Sequence, residues 1–161
     1  METAIIRPIR PSDNEAIARI IRAVLTEFKA NKPGTAYFDN SLDELYNVFS
    51  YPQAAYWLAE QEGQIIGGAG IYPTHGLPPG YCELVKLYLL PEARGKGLGK
   101  QLIEQCFDAA TQAGFTHIYL ETMPELVTAI PLYEKMGFIY LFQALGASGH
   151  FGCSVWMAKE L

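Results

Sequence analysis

The chain has 161 residues, of which 50% are hydrophobic and 18% are charged, and its formal net charge is −5. This length and composition predict one compact domain over residues 1–161 and exclude a disordered chain. Nucleic acids and anionic membranes bind proteins through a broad basic face, so we expect neither as a partner of this acidic chain.

The N-terminal sequence Met1-Glu2-Thr3-Ala4 has an early acid and no long apolar run behind it, which predicts neither a signal peptide nor a membrane-spanning helix. The three cysteines, Cys82, Cys106 and Cys153, lie in apolar strand or helix patterns. An odd, widely spaced set is typical of reduced, buried thiols and not of a disulfide framework. We therefore expect a cytoplasmic protein.

The N-terminal third predicts one strand and two helices. Residues 4–9 are strand-like, and apolar residues with a helical repeat follow over 17–28. Residues 31–40 contain turn formers and predict a loop, and a short second helix is expected from residue 41. Both helices are preceded by capping-box patterns, which are formed by Ser12 with Glu15 and by Ser41 with Glu44.

The middle of the chain predicts three consecutive strands. Two β-rich runs, 54–59 and 64–72, flank the pair Glu62-Gly63, which is a turn signal typical of a hairpin. A loop rich in proline and glycine over 73–80 then leads to an apolar strand at 82–90.

The C-terminal half predicts further helices and strands around the same core. Apolar residues mark one helical face over 102–113, and Gly114 is placed to end that helix. The remaining predicted elements are a strand at 117–121, a helix at 126–136, and strands at 138–142 and 153–157. Pro131 removes a backbone donor, so the first turn of its helix should kink or fray. The order β-α-α-β-β-β-α-β-α-β-β predicts an α/β fold with helices flanking a mixed sheet.

A glycine-rich, basic turn over residues 94–100 joins the strand at 82–90 to the next helix. Its glycines let the backbone bend towards an anion, and its cations lie beside the positive end of the helix dipole. The turn therefore predicts a phosphate site. A Walker A loop does not fit, because Arg94 replaces its first glycine and Gln101 its hydroxyl residue. A dinucleotide fingerprint fails as well, because Lys100 and Leu102 stand where its last glycine would be.

The pattern that does fit is Arg/Gln-x-x-Gly-x-Gly/Ala, which Arg94, Gly97 and Gly99 provide. On these residues the chain resembles the GCN5-related N-acetyltransferase (GNAT) superfamily. The resemblance covers roughly residues 64–141, and the sequence A-I-P-L-Y-E-K-M-G-F at 129–138 is similar to that family's A-x-x-L-Y-E-K-x-G-F. It implies a three-layer α/β/α fold around a mixed, mostly antiparallel sheet.

The resemblance also implies that acetyl-CoA is the cosubstrate and that the turn wraps its pyrophosphate. The preceding strand is expected to pair with the pantetheine arm, and a backbone N–H near Leu89 is expected to face the thioester oxygen. The cofactor-binding residues implied in this way are Leu87, Tyr88, Leu89, Arg94, Gly95, Lys96, Gly97, Leu98, Gly99 and Lys100.

Glu83 is the candidate general base, because it has the offset from Arg94 at which some family members place a carboxylate. Among apolar neighbours its pKa should be raised, which suits a base that works near neutral pH. Unless a bulge intervenes, it shares a strand face with Val85, Leu87 and Leu89. The alternatives are a carboxylate at the sheet edge paired with a surface lysine, or ordered water as the base.

Tyr133 is the candidate general acid, since the family's helix presents a phenol to the coenzyme sulfur at this position. The alternative is a core tyrosine on the apolar stripe of its helix. His75, His117 and His150 are weaker candidates for catalysis. No spacing of His, Cys and Asp resembles a metal site, so we expect no metal.

The resemblance implies an acceptor pocket formed by the first two helices and the loop between them. Its candidate wall residues are Glu27, Tyr37, Phe38 and Tyr46. The predicted reaction is direct transfer of the acetyl group, in a ternary complex, to a primary amine of a small molecule. Acetylation of a protein lysine or N-terminus and a non-catalytic acetyl-CoA-binding module are the alternatives. The segment 151–156 either supports a homodimer or completes the core.

Overall fold

The computed structural model describes residues 3–161. The prediction about a signal peptide rests partly on Met1 and Glu2, which lie outside the described residues. The elements follow the predicted order, and the helices are α1 (Asn14–Glu27), α2 (Leu45–Val48), α3 (Leu98–Gln112) and α4 (Ala129–Lys135). The strands are β1 (Ile5–Pro8), β2 (Ala55–Gln61), β3 (Gln64–Tyr72), β4 (Tyr81–Leu89), β5 (His117–Thr122), β6 (Ile139–Tyr140) and β7 (Val155–Glu160).

The seven strands form one sheet in the order β1-β2-β3-β4-β5-β7-β6. Strands β4 and β5 run parallel, and the other neighbouring pairs are antiparallel. Parallel neighbours need a crossover, which α3 supplies between β4 and β5. The sheet is therefore mixed and mostly antiparallel, as predicted.

Helices cover both faces of the sheet. On one face α3 and α4 bury a cluster that includes Leu102, Ile103 and Tyr133. On the other face α1 and α2 bury Ile21 and Leu45, among others. The apolar residues of α1 and α3 recur at helical spacing, so each helix presents one continuous stripe to the sheet. The predicted three-layer α/β/α fold is confirmed.

The capping box predicted at Ser12 does not form, because α1 begins at Asn14 after a 3₁₀ turn. Asp13, the residue before α1, fixes the start of this helix instead. Its carboxylate accepts two hydrogen bonds from the guanidinium of Arg7, at 2.8 and 3.0 Å, and a third from the backbone N–H of Arg10 at 2.7 Å. A buried, bidentate ion pair is a stronger contact than a neutral hydroxyl cap.

Three other element limits differ from the prediction. Helix α2 begins at Leu45 and not at Ser41, because residues 42–44 form a 3₁₀ turn. Helix α4 begins at Ala129, so Pro131 lies in its first turn, where the backbone N–H has no intrahelical partner to lose. The closing strands are β6 and β7, of which β7 extends to Glu160.

A bulge interrupts β4 where it pairs with β3. Val85 pairs with Gly70 and Tyr88 pairs with Gly68, so two residues of β4 lie opposite one residue of β3. Lys86, one of the two, has a φ of +53°. This left-handed conformation is costly for a residue other than glycine. The backbone carbonyl of Lys86 accepts a hydrogen bond of 2.7 Å from the hydroxyl of Tyr56.

The bulge changes which side chains of β4 share a face. Val85 and Tyr88 pack on the face covered by α1 and α2, whereas Leu87 and Leu89 pack on the face covered by α3 and α4. The common face of Glu83 with Leu87 and Leu89 was predicted only for a strand without a bulge. The bulge is present, so Glu83 does not share their face, because the alternation of side chains is reset between Val85 and Tyr88.

Within residues 3–161, no helix combines the length and the apolar character that crossing a bilayer requires. All three cysteines are free thiols, as predicted. Cys82 and Cys106 are buried, and Cys153 is half-buried.

Candidate active site

A gap opens in the middle of the sheet between the two parallel strands. β4 and β5 pair only from Tyr81 with His117 to Glu83 with Tyr119. Beyond this point β4 continues to Leu89 and β5 continues to Thr122, but the two strands no longer pair with each other. The strand edges that face the gap therefore carry backbone groups that a bound chain could pair with.

The larger cavity of the structure, about 590 Å³, lies at the wide end of this gap. Its walls come from β4, the turn after it, the start of α3, and α4. Of the ten predicted cofactor-binding residues, nine line it, namely Leu87, Tyr88, Leu89, Arg94, Gly95, Gly97, Leu98, Gly99 and Lys100. Lys96 is the exception, and it is exposed.

The glycine turn is shaped for backbone groups to approach a ligand. Gly97 precedes α3 with a φ of +80°, which strongly favours glycine. Gly99 has a different reason: a Cβ there would lie 2.8 Å from a methyl carbon of Leu132 in α4. The first-turn N–H groups of α3 have no intrahelical acceptor, so they are available to an anion in the cavity.

The guanidinium of Arg94 is engaged with the protein. It donates two hydrogen bonds of 2.8 Å to the carboxylate of Glu27 at the end of α1, and it lies over the ring of Phe28 at 4.9 Å. It also donates to the backbone carbonyl of Leu89, at 2.9 Å from Nη2 and 3.2 Å from Nε. The predicted contact of this cation with a phosphate stays a prediction.

The backbone of Leu89 is oriented towards the gap. The N–H of Leu90 donates to the carbonyl of Ile66 in the β3 region at 2.9 Å. Successive N–H groups of a strand point to opposite edges, so the N–H of Leu89 points towards β5. This is the orientation that the predicted contact with a thioester oxygen needs.

A second, smaller cavity of about 40 Å³ adjoins the first. Leu87, Tyr88 and Leu126 line both cavities. Glu83 and Tyr133, the predicted base and acid, both line the smaller one. The structure therefore brings the two candidate catalytic residues, fifty positions apart in the chain, to one place at the end of the larger cavity.

Glu83 is 3% exposed, and its carboxylate accepts a hydrogen bond of 2.6 Å from the hydroxyl of Thr74. Burial raises the pKa of Glu83 to about 7, and the nearby Glu121 adds to the shift, while Thr74, His150 and Lys86 oppose it. This carboxylate is not the exposed sheet-edge group of the alternative interpretation. Near neutral pH, a large fraction of such groups can accept a proton.

Tyr133 packs edge-on against Phe138, with ring centroids 5.9 Å apart, and only 7% of its surface is exposed. Burial raises the pKa of its phenol above the ordinary value, with smaller contributions from Cys153 and Cys106. The phenol therefore keeps its proton at neutral pH and can donate a hydrogen bond. Tyr133 belongs to the apolar cluster and also lines the cavity, so the two interpretations of this residue are compatible.

A cluster of three charged or titratable groups lies at the smaller cavity, with Lys86 and His150 in its wall and Asp39 behind them. Asp39 accepts a hydrogen bond of 2.7 Å from the ammonium of Lys86, and Nε2 of His150 lies 2.9 Å from its other oxygen. Burial opposes ionisation of Asp39, but His150 and Lys86 together hold the pKa of its carboxyl below the usual value. The cluster joins three distant segments of the chain.

The loop between β6 and β7 covers the smaller cavity. Ser148 donates a hydrogen bond to Glu121, and the hydroxyl of Tyr119 donates to the same carboxylate at 2.6 Å. The N–H of Leu145 donates to the Tyr119 oxygen at 3.0 Å. With the contact of His150 to Asp39, these bonds fix the loop at several points over the β5 end of the gap.

Comparison with known proteins identifies the family. The model of the acetyltransferase (GNAT) family matches residues 17–138. The chain is 46% identical over 162 residues to the uncharacterized N-acetyltransferase YjgM of Escherichia coli K12, covering 99% of this chain and 96% of that protein. The chain belongs to the GNAT family.

Solved structures support the GNAT fold. The PaiA N-acetyltransferase of Thermoplasma acidophilum, in complex with coenzyme A, superimposes with a TM-score of 0.78 at 19% identity, covering 99% of this chain and 100% of the other. The acetyltransferase yncA of Salmonella typhimurium, with its cofactor acetyl-CoA, gives 0.77 at 20% identity, covering 99% and 94%. These findings confirm the predicted superfamily, fold and N-acetyltransferase class.

Four residues expected to form the acceptor wall of this GNAT protein lie elsewhere. Glu27 pairs with Arg94, and Ala36 is the residue of the predicted acceptor loop that lines the smaller cavity, in place of Tyr37, Phe38 and Tyr46. Phe38 is largely exposed.

Sequence reasoning missed most of the polar residues at the smaller cavity. These are Lys86, Glu121, Thr122 and Cys153, with Asp39 and Ser148 behind them. None belongs to a local motif, so no sequence signal marks them. His150 was predicted only as a weaker candidate for catalysis. Within residues 3–161 there is no group of three or more His, Cys, Asp or Glu side chains that could hold a metal ion.

Proposed function

We propose that this protein transfers the acetyl group of acetyl-CoA directly to a primary amine of a small molecule, within a ternary complex. The observation that carries the proposal is the meeting of Glu83 and Tyr133 in a small cavity that opens from a larger, glycine-walled one. A donor bound in the larger cavity would place its reactive end between these two residues.

The coenzyme is bound mainly through backbone groups. Its diphosphate lies at the N-terminus of α3, against the turn that Gly95 and Gly97 shape, and Lys100 lies at the same wall. The pantetheine arm runs along Leu87 to Leu89 into the smaller cavity. The N–H of Leu89 stabilises the negative charge that develops on the thioester oxygen in the transition state.

Glu83 and Tyr133 act from opposite faces of the sheet. Glu83 shares the α1 face with Val85, whereas Tyr133 belongs to the cluster under α3 and α4. The amine approaches from the side of Glu83, which accepts its proton, directly or through a water. The thiolate leaves on the side of Tyr133, whose phenol donates to sulfur. Burial raises the pKa of the phenol, and burial of the departing thiolate raises the pKa of the thiol in the same direction, so the two effects offset each other.

The covered shape of the acceptor end favours a small molecule over a protein substrate. The smaller cavity encloses about 40 Å³, and the loop between β6 and β7 is tied over it by Ser148 and His150. A protein lysine or N-terminus would need a groove along the surface for the flanking residues. The side chains of Glu83 and Glu121 at the cavity suit a cationic amine.

The test is a panel of amines assayed for thiol release from acetyl-CoA. The panel contains polyamines, amino acids, aminoglycosides and lysine peptides at equal concentration. We expect turnover with one class of small amine and none with peptides. Turnover with peptides alone would overturn the small-molecule assignment, and absence of acetyl-CoA binding in calorimetry would overturn the proposal as a whole.

Two further proposals concern the setting of the enzyme. Three free cysteines accord with a reducing compartment, and we propose the cytoplasm.

Phe151 is 81% exposed. It follows His150 in the loop over the smaller cavity. A large exposed aromatic side chain suits self-association better than completion of the core. Sedimentation of the wild type and of Phe151→Ser would test for a homodimer.

A further inference from the structure

Thr122 ends β5 in the gap between the two parallel strands. It is 2% exposed and lines the smaller cavity. Among the buried side-chain polar atoms of residues 3–161, its Oγ1 is the one with no hydrogen-bond partner. A buried hydroxyl without a partner is unfavourable, because it has lost its bonds to water and gained none.

The buried hydroxyl of Thr35 is bonded, in contrast to that of Thr122. Thr35 is 1% exposed, and its Oγ1 donates to the carbonyl of Lys32 at 2.7 Å. The carbonyl of Thr122 accepts a hydrogen bond of 3.1 Å from the N–H of Ser154, next to the pairing of Thr122 with Val155. The side-chain hydroxyl of Thr122 is left to bind something in the cavity.

The alternation of β5 gives the side of the gap on which this hydroxyl lies. Ile118 and Leu120, which share the parity of Thr122, are buried in the cluster that contains Tyr133. Tyr119 and Glu121 have the opposite parity, and their side chains bond to each other and to the covering loop. Thr122 therefore lies on the side of Tyr133 and of the departing thiol, and not on the acceptor side.

We propose that the hydroxyl of Thr122 binds the pantetheine amide that is nearest to the sulfur of the coenzyme. This inference rests on the proposed function. An ethylene unit separates that amide from the sulfur, so a coenzyme whose sulfur meets Tyr133 brings the amide to the neighbouring wall of the cavity. The amide offers both a donor and an acceptor, and a threonine hydroxyl can serve either.

The test compares Thr122→Val, which keeps the shape and removes the hydroxyl, with Thr122→Ser, which keeps the hydroxyl. Calorimetry measures the Kd of coenzyme A and of 3′-phosphoadenosine 5′-diphosphate, which has the diphosphate but no pantetheine arm. For Thr122→Val we expect the Kd of coenzyme A to rise about fivefold, which is the effect of one hydrogen bond. Thr122→Ser should stay close to the wild type, and the armless nucleotide should bind all three proteins equally.

The unfolding temperature without ligand separates a binding role of Thr122 from a structural one. We expect Thr122→Val to unfold at the same temperature as the wild type or higher, because it removes an unpaired polar group. Thr35→Val, the matched control, should unfold at a lower temperature, because it removes a bonded one, and should keep its affinity for coenzyme A. An unchanged Kd of coenzyme A in Thr122→Val, or an equal loss for both nucleotides, overturns the inference. If the wild type binds no coenzyme A, the proposed function itself fails.

Discussion

The coenzyme end and the acceptor end of the gap are built in different ways. The larger cavity takes its character from backbone conformation, with glycines at the N-terminus of α3 and apolar side chains around them. The smaller cavity takes its character from charged side chains, which come from β4, β5, and the loops that carry Asp39 and His150. A backbone site suits a ligand that does not differ between enzymes of the family, such as acetyl-CoA. An acceptor that differs from enzyme to enzyme is better recognised by side chains, because side chains can be exchanged without changing the fold.

The difference also appears in the electrostatics of the two ends. At the coenzyme end the cations Lys96 and Lys100 are exposed, so their interactions are screened by solvent. At the acceptor end Glu83 is buried, and its pKa responds to several neighbours. Substitutions of the charged side chains at the acceptor end should therefore change chemistry and pH dependence, and those in the glycine turn should change binding.

The largest expected effect is that of Glu83→Gln on turnover. Loss of the base should lower kcat by about 10²-fold or more, while the Kd of acetyl-CoA stays unchanged. Since the pKa of Glu83 is raised to about 7, kcat/KM of the wild type should rise with pH up to about 7 as the carboxylate loses its proton. The variant should lack this part of the pH profile. Steady-state kinetics from about pH 5.5 to about pH 9, a range that spans the titration of this carboxylate, would measure the difference. An equal pH profile in both proteins would show that Glu83 is not the base.

The same substitution should stabilise the protein at alkaline pH. The pKa of Glu83 is raised from 4.5 to about 7, so the folded state holds a proton that the unfolded state releases. Its stabilising contribution is complete below about pH 4.5 and is lost as the pH rises through about 7. At pH 8, Glu83→Gln should exceed the wild type by up to about 3 kcal/mol in free energy of unfolding, in urea titrations. Equal pH dependence of stability in both proteins would contradict the raised pKa.

Tyr133→Phe should have the next largest effect on turnover. Without the phenol, the thiolate must leave unprotonated or take its proton from water, and kcat should fall by about 10-fold to 100-fold. The Kd of coenzyme A should change little, because the ring and its packing against Phe138 remain. Tyr81→Phe, where the ring stacks on His117 outside both cavities, is the control. Unchanged turnover in Tyr133→Phe would remove the proposed acid.

At the coenzyme end, Gly97→Ala and Gly114→Ala form a matched pair. Both glycines have positive φ, at opposite ends of α3, and a Cβ at either would meet no atom within 4 Å. Both variants should therefore lose similar stability, about 1 kcal/mol. Only Gly97→Ala should weaken binding of acetyl-CoA, by roughly tenfold, because it disturbs the N-terminal amide groups. If both variants bind the coenzyme equally well in calorimetry, the turn is not the phosphate site.

The smallest expected effect concerns the pair of Arg94 and Glu27. Both side chains are partly exposed, at 23% and 38%, so their coupling should be about 0.5 kcal/mol in a double-mutant cycle with Arg94→Gln and Glu27→Gln. Glu27→Gln alone should leave the Kd of coenzyme A within about twofold, since one exposed charge contributes little to a backbone site. A larger loss of affinity would show that this pair, and not the glycine turn, controls the coenzyme end.

The sequence predicted which residues line the larger cavity because the determinants of this region are local. Glycine spacing and the adjacent strand and helix lie within one continuous segment, and nine of the ten predicted residues line the larger cavity. Element order and fold class were also predictable, because apolar periodicity determines which faces are buried.

The acceptor end was predicted less well because its determinants are contacts between distant segments. Asp39 meets Lys86 and His150 only after the sheet has formed, because the three residues are far apart in the chain. This cluster has no local signature. The bulge in β4 was named as a possibility but could not be located from the sequence, since a bulge depends on the partner strand.

The extra residue of β4 shifts by one the positions whose side chains face each side of the sheet. Upstream of Lys86 odd positions face α1, and downstream of it even positions do. One strand can therefore present an acid to the amine at Glu83 and a leucine-lined edge to the coenzyme only a few positions later. Without the bulge the same residues would alternate regularly and place Leu87 and Leu89 on the face of Glu83, so this one extra residue separates the two sides of the strand.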